Sequence, residues 1–146
     1  RRNKMRKGFT LLELIIVIII IGVLATLGFV QYSAVIEKAR GAEARAVIST
    51  LRSQAAAKNM EGSTAAITAT DLGIGAGIPS GCGTNQTTNY FSYGIGACTT
   101  TACSFIATRC TTGGKAPAGA NVGSLTLNWT SSGTNTTDTW VSAGGY

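Results

Sequence analysis

Five side chains stand out in this 146-residue chain for the chemistry they could do: the carboxylate of Glu13 and the thiols of Cys82, Cys98, Cys103 and Cys110. Glu13 is set into an apolar run. An ionised carboxylate well inside a bilayer costs a few kcal/mol even on lenient insertion scales, so such a group is more often functional than decorative. The four cysteines are an even number, which in an oxidising compartment favours two disulfides. Zinc is the competing use of four thiols, but CxxC pairs are missing and the chain has no histidine. Catalysis has little to work with. After Glu61 the only carboxylates are Asp71 and Asp138, far apart in sequence, and no GxSxG motif is present. Neither an enzyme nor a metal or other cofactor is expected.

The elements that would carry these residues begin with the apolar run itself. Leu14 to Val30 has Thr26 as its only polar side chain, and the helical pattern can start as early as Phe9. About 22 helical residues span roughly 33 Å, close to the hydrocarbon thickness of a bilayer. Of twelve basic residues, Arg1, Arg2, Lys4, Arg6 and Lys7 all precede this run. They would hold the amino end in the cytoplasm and leave everything after Val30 outside. A cleaved secretory signal is the rival, but "LATLGFV" is a poor cleavage site and the helical pattern runs straight through it. Beyond the leader the charges nearly balance, so a nucleic-acid partner stays open but is not indicated.

Helical character continues from Gln31 to about Met60, with no proline and Gly41 as the only glycine. At about 100° per residue two apolar seams separate. One contains Ala44, Val47, Ile48, Leu51 and Ala55; the other contains Tyr32, Val35, Ala39, Ala42 and Ala46. Two seams suggest two partners, the chain's own head on the first and neighbouring copies on the second. A single broad apolar face within one monomer fits the spacing equally well.

From Gly62 the composition turns to Gly, Thr, Ser and Asn, which reads as an ordered loop. Four β-type segments follow at 89–95, 103–110, 124–129 and 138–142, as an antiparallel meander with one face on the helix. The expected class is α+β: a long amino-terminal α-helix, half transmembrane and half amphipathic, packed against a small four-stranded β-meander head. The expected divisions are a leader at 1–8, a membrane helix at 9–31, its amphipathic continuation at 32–60, a loop at 61–88 and a disulfide-linked head at 89–146. Cys103 and Cys110 bracket one expected strand and would stand about 23 Å apart if fully extended, beyond disulfide reach. Cys98 and Cys103 flank the loop "TTTA". That geometry predicts Cys98–Cys103 and therefore Cys82–Cys110.

"KGFTLLELIIVIIIIGVLATLGFVQY" resembles the amino-terminal signature of type IV pilins and their type II secretion pseudopilin relatives. The shared features are a short basic leader ending in glycine, an aromatic residue, a glutamate fifth after the glycine, and an unbroken apolar helix. The resemblance covers about residues 4 to 35, and the head matches only at the level of architecture. It implies cleavage of the Gly8–Phe9 bond by an inner-membrane prepilin peptidase, methylation of the new Phe9 amine, and Glu13 as the assembly glutamate. The leader would then be "MRKG", starting at Met5. One departure is Val30, where many members have a proline beside a segment that loses helicity on assembly; Gly22 and Gly28 remain as weaker helix breakers.

Cleavage would put a positive amine in the same lipid layer as Glu13, and the two charges could neutralise each other between subunits or within one helix. The resemblance favours capture between subunits. It also implies a filament homo-oligomer, the inner-membrane pilus assembly machinery as a partner, and lipid around the helix before assembly. The precursor would lie in the bacterial inner membrane and the product on the cell surface, serving adhesion, motility or DNA uptake. The major pseudopilins are the nearest alternative; a membrane-anchored extracytoplasmic enzyme is a remote one. Asn-x-Thr sequons begin at Asn85, Asn128 and Asn135.

Overall fold

The computed structural model describes residues 8–62, 66–83, 89–112, 123–132, 134–144 and 146. The chain forms two compact units, Arg1–Ile36 and Glu37–Tyr146. The architecture is α+β: one long helix, α1 (Leu11–Met60), a single 3-10 turn (Thr70–Leu72), and strands β1 (Phe91–Cys98), β2 (Ala102–Arg109), β3 (Ser124–Ser132) and β4 (Asn135–Ser142). The leader expected at 1–8 lies outside the described residues except for Gly8.

In the first unit α1 is helical through Gly22, Gly28 and Val30, and the apolar side chains from Leu11 to Val30 are all exposed. This helix contains an 18-residue window of mean hydropathy 2.8, long and apolar enough to cross a membrane. Thr26 and Ser33 donate their hydroxyls to the carbonyl oxygens of Val23 and Val30, at 2.8 and 2.9 Å. Neither hydroxyl is therefore left bare on the helix surface. Helix formation starts at Leu11 rather than Phe9, because Thr10 takes the capping position.

The second unit is built around the later part of α1. Ala44, Ile48, Leu51 and Ala55 are fully buried and share one core with Phe91 and Tyr93 of β1, Phe105 and Ala107 of β2, and Leu125, Leu127 and Trp129 of β3. Alanine, isoleucine and leucine of the helix thus pack against mainly aromatic and leucine side chains of the strands. The helix ends where Gly62 turns to φ 73°, donating its N–H to the carbonyl of Asn59 at 3.2 Å. A residue with a side chain takes that left-handed conformation reluctantly. Ile67, Leu72 and Ile74 of the following loop close the core, and Tyr93 N–H donates to Pro79 at 2.8 Å, fixing that loop along β1.

The four strands form one antiparallel sheet in the order β1-β2-β3-β4. All four differ from the sequence reading, β2 only by a shift of one residue. β1 starts later and continues through Gly96 to Cys98, past a register irregularity between Ile95 and Cys98. A side chain at Gly96 would stand 3.1 Å from the Ser104 Cβ, so the glycine permits this close passage. β3 and β4 run on into a tight hairpin, paired from Leu125↔Ser142 to Ser132↔Asn135. Their Thr, Ser and Asn residues looked like turn formers, but every β4 residue is exposed and needs no apolar alternation. Threonine is a good strand former there.

Candidate functional site

The amino-terminal site is built on the first turn of α1. Gly8, Phe9 and Thr10 are exposed and non-helical, and the Phe9 ring is 80% accessible. Thr10 Oγ1 accepts the Glu13 N–H at 3.3 Å, while Glu13 Oε2 accepts the Thr10 N–H at 3.1 Å and its hydroxyl at 2.9 Å. This is a capping box, satisfying donors that the first turn leaves without helical partners. Glu13 is thus held to Thr10, two residues after Gly8. The sequence reading weighed Phe9 as an intrachain partner but overlooked Thr10. The T-x-x-E spacing was the available signal.

Along α1, Tyr32 and Val35 are 64% and 62% accessible, and Ala39, Ala42 and Ala46 are exposed. The other seam is the buried one, with Val47 only partly covered.

A second constellation was missed. Arg109, at the end of β2, is fully buried and directs Nε and Nη2 to Glu37 Oε2 and Oε1, each at 3.1 Å. Its Nη1 donates to the carbonyl oxygens of Tyr90 and Cys110, both at 2.9 Å. Arg40 also pairs with Glu37 and stacks 4.1 Å above the Tyr90 ring. Burial works to raise the Glu37 pKa, but the hydrogen bonds and charges of Arg109 and Arg40 outweigh it and hold the carboxyl below its ordinary value. The overlooked signal was alternation: Cys103, Phe105 and Ala107 point inward along β2, and Arg109 continues that series.

One disulfide adjoins this region and the other lies at the far end of the β1–β2 hairpin. Cys82 is bonded to Cys110, with Cα atoms 5.3 Å apart, beside the Arg109 clasp. Cys98 is bonded to Cys103, its register partner across the β1–β2 hairpin. Elsewhere Asp71 caps the 3-10 turn with Thr68 and pairs with Lys58, which holds its carboxyl well below the usual carboxylate range. Burial, with the Glu43 carboxylate adding to it, pushes the Tyr93 hydroxyl up to about 12. Among the described residues no three His, Cys, Asp or Glu side chains gather as metal ligands. Asn128 accepts from Ser104, Asn135 is exposed, and Asn85 lies outside the described residues.

Residues 3–29 match the prokaryotic N-terminal methylation motif. No solved structure matches the chain. The motif is consistent with a class III signal processed by prepilin peptidase and with a pilin-like or pseudopilin-like protein anchored through its apolar helix. It spans the whole Gly8–Phe9–Thr10–Glu13 site and reaches almost to the end of the apolar run.

Proposed function

We propose that this chain is the major structural subunit of a type IV pilus. It would be held in the bacterial inner membrane with its amino end cytoplasmic, cleaved between Gly8 and Phe9, and polymerised into a surface filament for adhesion, motility or DNA uptake. The observation that carries the proposal is a single carboxylate, Glu13, four residues beyond Phe9 at the start of a motif-matched apolar helix. In lipid a new amine and a carboxylate each need a partner of opposite charge. The Glu13 of one copy and the Phe9 amine of the next supply each other's, and the pairing sets where subunits stop sliding. The exposed face of α1 then meets its neighbours.

The test is expression with an inner-membrane pilus assembly machinery, followed by shearing, imaging and amino-terminal sequencing of the main polypeptide. Filaments built of a chain starting FTLLE with a methylated amine support the proposal. A mature terminus after Ala25 overturns it. Loss of protein secretion on deletion, with no surface filament in the wild type, reassigns the chain to a secretion pseudopilus.

A further inference from the structure

Among the described residues, most charged side chains of the second unit are ion-paired within the chain. Glu37 pairs with Arg40 and Arg109, Arg52 with Asp138, and Lys58 with Asp71. Arg45 stands 5.9 Å from the centre of the Trp140 ring. Among the described residues this leaves Lys38, Glu43, Arg45 and Glu61 without an ion-pair partner; Arg45 faces the Trp140 ring and Glu61 lies past the end of α1. Lys38 and Glu43 are both exposed on α1, on either side of its uncovered face. At about 100° per residue they sit about 140° apart, with Ala39, Ala42 and Ala46 between them.

The spacing prevents them from meeting on one helix. Lys38 has Ala34, Val35, Gly41 and Ala42 at the positions three and four residues away. Glu43 has Ala39, Arg40, Ala46 and Val47 there, and Arg40 is committed to Glu37 and Tyr90. The arrangement suits a head-to-tail contact between parallel copies, in which one flank of a helix meets the opposite flank of the next. A basic margin then meets an acidic one. The alanines between them let the two backbones approach closely.

We propose that Lys38 of one copy pairs with Glu43 of the adjacent copy across the exposed face of α1. The proposal rests on the pilin reading, which brings copies of α1 side by side. A stagger of five helical residues between two such copies, about 7.5 Å, places Lys38 of one level with Glu43 of the other. Arg45 of the same copy then falls level with Thr50, about 10 Å past Glu43, so Lys38 is the matched base.

Charge reversal tests the pairing. Lys38→Glu and Glu43→Lys alone should each lower sheared-filament yield about fivefold at an unchanged membrane pool, with the double reversal returning most of it. A zero-length carbodiimide, applied to membranes and filaments of mixed isotope-labelled and unlabelled wild-type chains, should form a Lys38–Glu43 amide between copies. Normal yield in both single variants with no such amide overturns the pairing, as does a double variant no better than the worse single. Wild-type chains that form neither filament nor intercopy amide sink the pilin reading and the pairing together. Wild-type filaments without the amide or the rescue sink the pairing alone.

Discussion

Arg109 of β2 clasps Glu37 of α1 with two parallel N–H···O bonds, both 3.1 Å, in a site closed to water. The clasp joins residues 72 positions apart, and its remaining donors hold the backbone where β1 begins and β2 ends. Charge pairs of this kind are costly to bury and far costlier to break, because one deletion strands the other charge.

Glu37→Ala or Arg109→Ala should therefore destabilise the head by about 3–5 kcal/mol. Replacing both by apolar residues of similar volume should cost markedly less. Thermal unfolding of the detergent-solubilised chain, followed through buried Trp129, measures both. Equal losses in the single and paired variants would contradict the clasp.

Acid should loosen the same site. The folded Glu37 pKa lies below its ordinary value of 4.5, so its contribution is complete above that pH and is lost as the pH falls through the folded value. The head's unfolding temperature should fall below about pH 4.5 more steeply in the wild type than in the apolar double variant. Parallel curves for the two proteins would remove Glu37 as the cause.

The two disulfides close loops of different size, with sequence separations of 28 and 5. On loop-closure entropy, losing Cys82–Cys110 should cost about 3.5 kcal/mol and losing Cys98–Cys103 about 2 kcal/mol. Paired Cys→Ser variants, compared by thermal unfolding, should keep that order. Non-reducing peptide mapping checks the connectivity, and a Cys103–Cys110 peptide would refute it.

Glu13→Ala and Thr10→Ala separate capping from capture. Both break the box and should weaken the first turn by about 1 kcal/mol. If Glu13 also takes the Phe9 amine of another copy, only Glu13→Ala should be inserted and cleaved yet fail to form filaments. Mixed with wild type it should enter at reduced frequency, since its own amine can still be captured. Similar yields from the two variants would reduce Glu13 to a cap.

The layout of the head was readable in the sequence wherever burial imposes a period. Phe91 and Tyr93 of β1, and Leu125, Leu127 and Trp129 of β3, alternate because one face is covered, and the seam through Ala44 to Ala55 repeats because one side of α1 is. β4 was half missed for the opposite reason: with no residue buried it has no alternation to read. At the amino end Glu13 was conspicuous as a charge among apolar residues. Its link to Thr10 was legible only through the T-x-x-E spacing, which the apolar run beside it overshadowed. Arg109 stayed hidden because a charge ending a strand ordinarily faces water.

The exposure of β4 has a consequence for how this protein can diverge. The strand is held by backbone pairing to β3, and Asn135, Thr137, Thr139 and Val141 are exposed and belong to no part of the core. Substitution there carries little folding cost, because surface positions away from packed features usually shift stability by no more than about 0.5 kcal/mol. Sequence change can therefore accumulate along this strip of the head while the core beneath it stays fixed.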